Sequence, residues 1–183
     1  MTAAPELDPT PDVTDLAALF DRFGPDLLRY CARRVGPDQA EDVVADTFLA
    51  AHAGAGGFDP NRSGLLPWLY GIATNLLRRH ARDEVRAYRA YARSHARTPS
   101  EADPDWDRAA ERIDAARARV PLAKALAALN PRQRDVLLLY AVAELEYAEI
   151  AAALQIPLGT VQSTLHRARA KVRAALQAAG GHQ

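Results

Sequence analysis

The sequence predicts an all-α fold of two small helical domains joined by a flexible acidic linker, the second domain a helix-turn-helix. Three observations predict it. Apolar residues recur at helical spacing through most of the 183 residues, prolines and glycines cut that periodicity into segments, and the sign of the charge alternates between modules. The resulting divisions are a disordered leader over residues 1–13, an N-terminal domain over 14–97, a linker over 98–120 and a C-terminal domain over 121–178.

Pro5, Pro9 and Pro11 keep residues 1–12 out of helix. From 14 to 34, Leu16, Leu19, Phe20, Phe23, Leu27, Leu28 and Cys31 are expected to face inward. Gly24-Pro25 is the point where this helix could be interrupted, and Gly36-Pro37 ends it. Asp38 is expected to cap a second helix, with Glu41 three residues on in capping-box spacing. Val43, Val44, Thr47, Phe48 and Ala51 form its packed face, while Asp42 and Asp46 make the other face acidic. Glycines 54, 56 and 57, then Asp59-Pro60-Asn61 and Ser63-Gly64, read as a loop.

Pro67 is expected to open a long helix over 67–93, apolar through Trp68, Leu69, Ile72, Leu76 and Leu77. The same segment carries Asn75 and is strongly basic through Arg78, Arg79, Arg82, Arg86, Arg89 and Arg93. Residues 98–116 are acidic, broken by Pro99 and Pro104, and suit a tether. After Pro121, a lead-in helix over 122–129 precedes Asn130-Pro131, an N-cap followed by a first-turn proline. Val136, Leu137, Tyr140 and Ala141, then Tyr147, Ile150, Ala151 and Leu154, repeat one buried-face spacing in two successive segments. Beyond the break at Gln155-Ile156-Pro157, a last helix has the stripe Val161, Leu165, Ala168, Val172 and Leu176. Gln162, Ser163, His166, Arg167, Arg169, Lys171 and Arg173 lie largely off it. That geometry, with a polar N-terminal end on a helix held by an apolar stripe, is what a reader of the DNA major groove needs.

The formal net charge is zero, but it is divided unevenly. Residues 1–60 carry 4 Arg against 11 acids, 61–98 carry 8 Arg against 2, 99–115 carry 2 Arg against 6, and 116–183 carry 9 basic residues against 4. Two basic blocks suit phosphates, and an acidic block suits a basic protein surface, so two kinds of partner are implied. No apolar run reaches about 18 residues and no signal sequence is visible, so no membrane span is expected and the cytoplasm is the expected compartment. The single cysteine, Cys31, is expected to be a buried structural thiol. His52, His80, His95, His166 and His182 are scattered, and neither a glycine-rich phosphate loop nor an HExxH motif occurs. No metal, no cofactor and no catalytic residue are expected.

The run LEYAEIAAALQIPLGTVQSTLHRARAKVRAAL, residues 145–176, resembles the last domain of extracytoplasmic-function sigma factors of bacterial RNA polymerase. QAEDVVADTFLAAH, residues 39–52, resembles the helix with which that family grips the clamp of the polymerase β′ subunit. WLYGIATNLLRRHAR, residues 68–82, resembles the helix that captures the downstream promoter element. The three stand in the family's order, and the resemblance covers roughly residues 14–86 and 122–176.

The resemblance implies an initiation factor that binds core RNA polymerase, directs it to a two-part promoter and assists DNA melting. Asp42 and Asp46 would face the β′ clamp helices, and the β flap is a further expected contact. Asn75 would meet a flipped base, Arg78, Arg79 and Arg82 would hold the backbone, and Trp68 would serve as a helix-start anchor or a stacking surface. Gln162, Ser163 and His166 would read the upstream element, with Arg167 and Arg169 on phosphates. An anti-sigma factor is an expected partner.

Relatives commonly carry Lys or Arg at the positions of Gln162 and Thr164, glycine at that of Gln155, and a polar residue at that of Ala45. The first two differences imply a shift of the upstream element toward adenine, because a glutamine amide pairs bidentately with that base. The third implies a strained turn if the backbone there is left-handed. The alternative reading is an autonomous, dimeric helix-turn-helix regulator. A helical adaptor without DNA contact would leave two basic helices unexplained.

Overall fold

The computed structural model of the chain describes residues 14–94 and 119–180; the expected leader over 1–13 and residues 98–118 of the expected linker lie outside them. Helix α1, Leu16–Val35, starts at Asp15, whose carboxylate accepts the Ala18 N–H at 3.1 Å. It runs unbroken through Pro25, because the buried residues on both sides of that proline (Leu19 and Phe23, then Leu27, Tyr30 and Cys31) hold the two stretches on one core. The helix face is rotated from the expected one. Phe20 and Leu28 are exposed, whereas Tyr30 and Arg34 are buried in their place. Helix α2, Pro37–Ala53, is capped by Gly36 (φ 87°), with Pro37 at the first position, so Asp38 lies inside the first turn rather than at the cap. Its packed face is the expected one: Val43, Val44, Thr47, Phe48 and Ala51.

A turn of 3-10 helix at Ala55–Gly57 occupies the glycine-rich loop. Helix α3, Leu65–Leu77, begins two residues before Pro67, and a 3-10 turn at Arg78–His80 separates it from α4, Ala81–Ser94. The expected single helix over 67–93 is therefore two helices, tightened where three consecutive basic residues meet. Helices α1, α2 and α3 pack on one another around Leu19, Leu27, Tyr30, Val44, Phe48, Leu69 and Tyr70.

Residues 119–128 form α5, so helix already occupies the last two positions of the stretch expected as linker. Helix α6, Pro131–Ala141, has a reciprocal cap: Asn130 Oδ1 accepts the Gln133 N–H at 2.8 Å, and Gln133 Oε1 accepts the Asn130 N–H at 3.4 Å. Its buried set is wider than the expected stripe. Ala141 is exposed, and Arg134, Asp135, Leu138 and Leu139 are buried, because the helix packs on α8 and also faces the N-terminal half. Helix α7, Tyr147–Leu154, and helix α8, Leu158–Gly180, complete the helix-turn-helix.

The core is continuous between the two halves. Helix α3 packs against α7, and at their crossing Gly71 leaves room for the Ala153 backbone; a methyl group at position 71 would collide with the Ala153 carbonyl oxygen.

Candidate nucleic-acid interface

In the C-terminal half, the turn between α7 and α8 sets where the last helix begins. Gln155, where relatives usually carry glycine, is left-handed (φ 53°, ψ 46°). Its N–H bonds the Ala152 carbonyl at 3.2 Å, and the Ile156 N–H bonds the Ala151 carbonyl at 3.0 Å, which closes α7 with a Schellman pair. Helix α8 then plugs Val161, Leu165 and Ala168 into the core, while Val172 and Leu176 are only half-buried. Gln162, Ser163, His166 and Arg167 are left exposed at its N-terminal end.

Thr164 is 4% exposed and sits on the core side. Of the two positions where relatives commonly carry Lys or Arg, only Gln162 therefore faces outward. Arg167 is held over its own helix, Nε donating to the Ser163 carbonyl at 3.1 Å. Arg169 is half-buried with its guanidinium 4.3 Å from the centre of the Tyr140 ring, which in turn packs on Tyr147 at 5.7 Å. Stacking of this kind fixes the arginine's direction. Lys171 is also oriented, its Nζ donating to Gln133 Oε1 at 3.1 Å.

In the N-terminal half, Asn75, Arg78, Arg79 and Arg82 are exposed along the end of α3, the 3-10 turn and the start of α4. Trp68 is half-buried, its ring 5.1 Å from that of Phe58, a packing that suits an anchor at the helix start. Arg78 donates from Nη1 to Asn75 Oδ1 at 3.0 Å and from Nε to Asp135 Oδ2 at 3.0 Å. Asp42 and Asp46 are exposed on α2, on a surface that also presents Leu49 and Phe20, 59% and 54% exposed. That face is therefore acidic and apolar together, which charge counting alone did not show.

The structure also holds a buried charge cluster that sequence reading did not find. Arg34 donates to Glu84 at 3.0 and 3.1 Å and to Asp135 at 2.8 Å, and Arg134 donates to Glu84 at 3.4 Å and to the carbonyls of Leu126 and Leu129. These four side chains are each about 1% exposed. Tyr30, 2.9 Å from both Arg34 Nη1 and Thr74 Oγ1, and Tyr88, 3.3 Å from Glu84, complete the set. Among the described residues no buried side-chain polar atom lacks a partner. The one faint signal in the sequence is that Asp83 and Glu84 interrupt a stretch, residues 78–93, whose other charged residues are all arginine.

Among the described residues no three His, Cys, Asp or Glu side chains group as a metal site, and no helix is long and apolar enough to cross a membrane. Burial pushes the Cys31 thiol up to about 12, partly opposed by the Arg34 charge.

The family described as Sigma-70 region 2 matches residues 19–87, and the family described as Sigma-70 region 4 matches residues 119–172. The chain is similar to the ECF RNA polymerase sigma factor SigL of Mycobacterium tuberculosis, 32% identical over 170 residues that cover 90% of each chain. It is also similar to the RNA polymerase sigma factor CarQ of Myxococcus xanthus, 33% identical over 85% of each. Among solved structures, CnrH in complex with the cytosolic domain of CnrY is 26% identical with a TM-score of 0.60, covering 89% of this chain and 88% of that one. RpoE of Bartonella quintana, solved with the anti-sigma factor NepR, shares the fold at a TM-score of 0.58 and 24% identity, covering 90% of this chain and 98% of that one. A chain whose described elements are all helices, whose two halves match two sigma regions in order and whose relatives align over nearly their full length, belongs to the extracytoplasmic-function sigma factors, the non-catalytic specificity subunits of RNA polymerase that act in transcription initiation.

Proposed function

We propose that this sigma factor directs core RNA polymerase to a two-part promoter and assists melting of its downstream part. The carrying observation is that two polar and basic clusters lie on separately matched regions: the exposed Asn75, Arg78, Arg79 and Arg82 on the first, and the exposed Gln162, Ser163, His166 and Arg167 with the half-buried Arg169 on the second. A rigid helix end with short polar side chains suits base edges in the major groove, and the stacked Arg169 suits a phosphate beside it. An exposed asparagine amide beside arginines suits an unstacked base on a strand held by its phosphates.

Polymerase would be gripped by the acidic and apolar face of α2, through Asp42, Asp46 and Leu49, on the β′ clamp helices, with the C-terminal half on the β flap. An anti-sigma factor fits as a further partner, since both solved relatives carry a second protein on the same fold. Such a complex would work in the cytoplasm.

Run-off transcription with sigma-free core polymerase and a genomic promoter library, with this chain added or omitted, tests the reading. Chain-dependent transcripts sharing two separated sequence elements support it. Core binding without any chain-dependent transcript, or tight duplex binding by a dimer without core, would overturn it.

A further inference from the structure

Arg29, Arg34, Arg78, Arg86 and Arg134 are each held by a carboxylate at 2.8 to 3.4 Å. Helix α6 holds two cations of α8 in another way. The Arg169 guanidinium lies 4.3 Å from the centre of the Tyr140 ring, and Lys171 Nζ donates to Gln133 Oε1 at 3.1 Å. Both holders are neutral, and among the described residues neither Arg169 nor Lys171 is paired with a carboxylate.

The difference decides what each cation can bind. An arginine paired with a carboxylate must give up that partner before it takes a phosphate. A ring face or an amide oxygen fixes the direction of a cationic side chain and leaves its charge uncompensated. The holders are themselves fixed: Tyr140 packs on Tyr147 at 5.7 Å, and Gln133, 7% exposed, belongs to the reciprocal cap of α6, its Oε1 also accepting the Asn130 N–H at 3.4 Å. Lys171 is exposed and stands four residues after Arg167 and eight after Ser163. Those three share one row along α8, with about 6 Å of rise at each step, so Lys171 continues the exposed N-terminal end of the helix.

We propose that α6 aims the cations of the upstream-element interface: Tyr140 and Gln133 are positioning residues that orient Arg169 and Lys171 without neutralising them, and Lys171 is a further phosphate contact. This deepens the promoter reading above and rests on it for the identity of the anion. Holding a long side chain in place before binding removes its ordering cost at the interface, and for one such side chain that is about three- to tenfold in affinity.

The test is footprinting of the upstream element by core polymerase reconstituted with the full chain, on a promoter mapped by run-off transcription. Half-maximal protection is measured from about 50 to about 200 mM salt, and circular dichroism of the free chains shows that helix content is kept. Gln133→Glu retains the capping box but sets a carboxylate against Lys171. It is expected to act like Lys171→Ala, each weakening protection and reducing the salt slope by about 0.9, the share of one phosphate contact. Tyr140→Leu is expected to weaken protection about three- to tenfold with the salt slope kept, because Arg169 is still present but no longer aimed. Tyr140→Phe restores the ring and the affinity, and Tyr140→Leu has no further effect in an Arg169→Ala chain, where a merely structural loss would still show.

A salt slope unchanged in both Lys171→Ala and Gln133→Glu would overturn the phosphate contact. Tyr140→Leu protecting as tightly as Tyr140→Phe, or weakening protection equally with and without Arg169, would overturn the positioning role. If Tyr140→Leu unfolds, the Gln133→Glu and Lys171→Ala pair decides alone. Failure of the wild type to protect any upstream element overturns the promoter reading and this inference with it, whereas wild-type protection to which the variants are indifferent overturns this inference only.

Discussion

Replacing Gln155 by glycine should stabilise the chain. The residue sits at φ 53°, ψ 46° with its side chain exposed, and its backbone closes α7 through the two Schellman bonds. The left-handed conformation costs a residue with a Cβ about 1–2 kcal/mol, which glycine does not incur. Glycine also loosens the unfolded chain, offsetting about 0.4–1 kcal/mol of the gain. The net expectation for Gln155→Gly is about 0.5–1 kcal/mol of added stability, or a rise of about 1–4 °C in Tm for a chain of this size. Urea and thermal unfolding, followed by circular dichroism, measure it. Gln155→Ala keeps the strain and should show no comparable gain, while Gln155→Val should lose stability because a branched Cβ fits this region worst. A Gln155→Gly midpoint at or below that of Gln155→Ala would refute the argument that strain at this turn limits the module.

Leu165, 1% exposed, anchors the reading helix, so Leu165→Ala should cost about 2–5 kcal/mol and abolish upstream-element protection in footprints while core binding persists. Arg169→Ala should weaken upstream DNA binding about equally across sequences and reduce the salt dependence by about one phosphate contact, whereas Gln162→Arg should change base preference at one position of the element; systematic base substitution in a binding assay separates the two effects. Cys31 should resist a thiol reagent at pH 8 in the native chain and react in denaturant, because burial raises its pKa to about 12. Since that folded value lies above the unfolded value of about 8.5, the associated stability is fully present below about pH 8.5 and is lost as pH rises toward 12, at about 1.4 kcal/mol per pH unit. Urea midpoints between pH 8 and 11 should fall more steeply for wild type than for Cys31→Ala.

The helical elements were legible because their signals are local. The apolar face of α2, the Asn130-Pro131 cap and the break at Gln155-Pro157 each lie within a few residues of what they determine. The same locality explains the errors. Gly36 rather than Asp38 caps α2, because a glycine already closing α1 serves both helices, and the long helix over 67–93 is cut at Arg78–His80 by a tightening that periodicity does not register.

The exposed residues at the N-terminal end of α8 were legible as those off the apolar stripe, whereas Thr164, off that stripe, is buried beside the stripe residue Leu165. What was not legible was the meeting of the halves. Arg34, Glu84, Arg134 and Asp135 carry no local signal of burial, and only the approach of α6 to α1 and α4, across up to 101 residues of sequence, makes them a buried set. Gly71 carries no local signal for the same reason, since the backbone it makes room for lies 82 residues away.

The central claim is that the two halves read separate parts of one promoter on polymerase, the first of them by holding an unpaired strand. Permanganate footprinting of core polymerase reconstituted with this chain, on a promoter mapped by run-off transcription, measures both at once. Reactive thymines are expected in the downstream part for wild type, with their loss in Asn75→Ala and in Arg79→Ala and upstream protection retained in both variants. Thymine reactivity unchanged by both substitutions, or upstream protection lost together with it, would contradict the account.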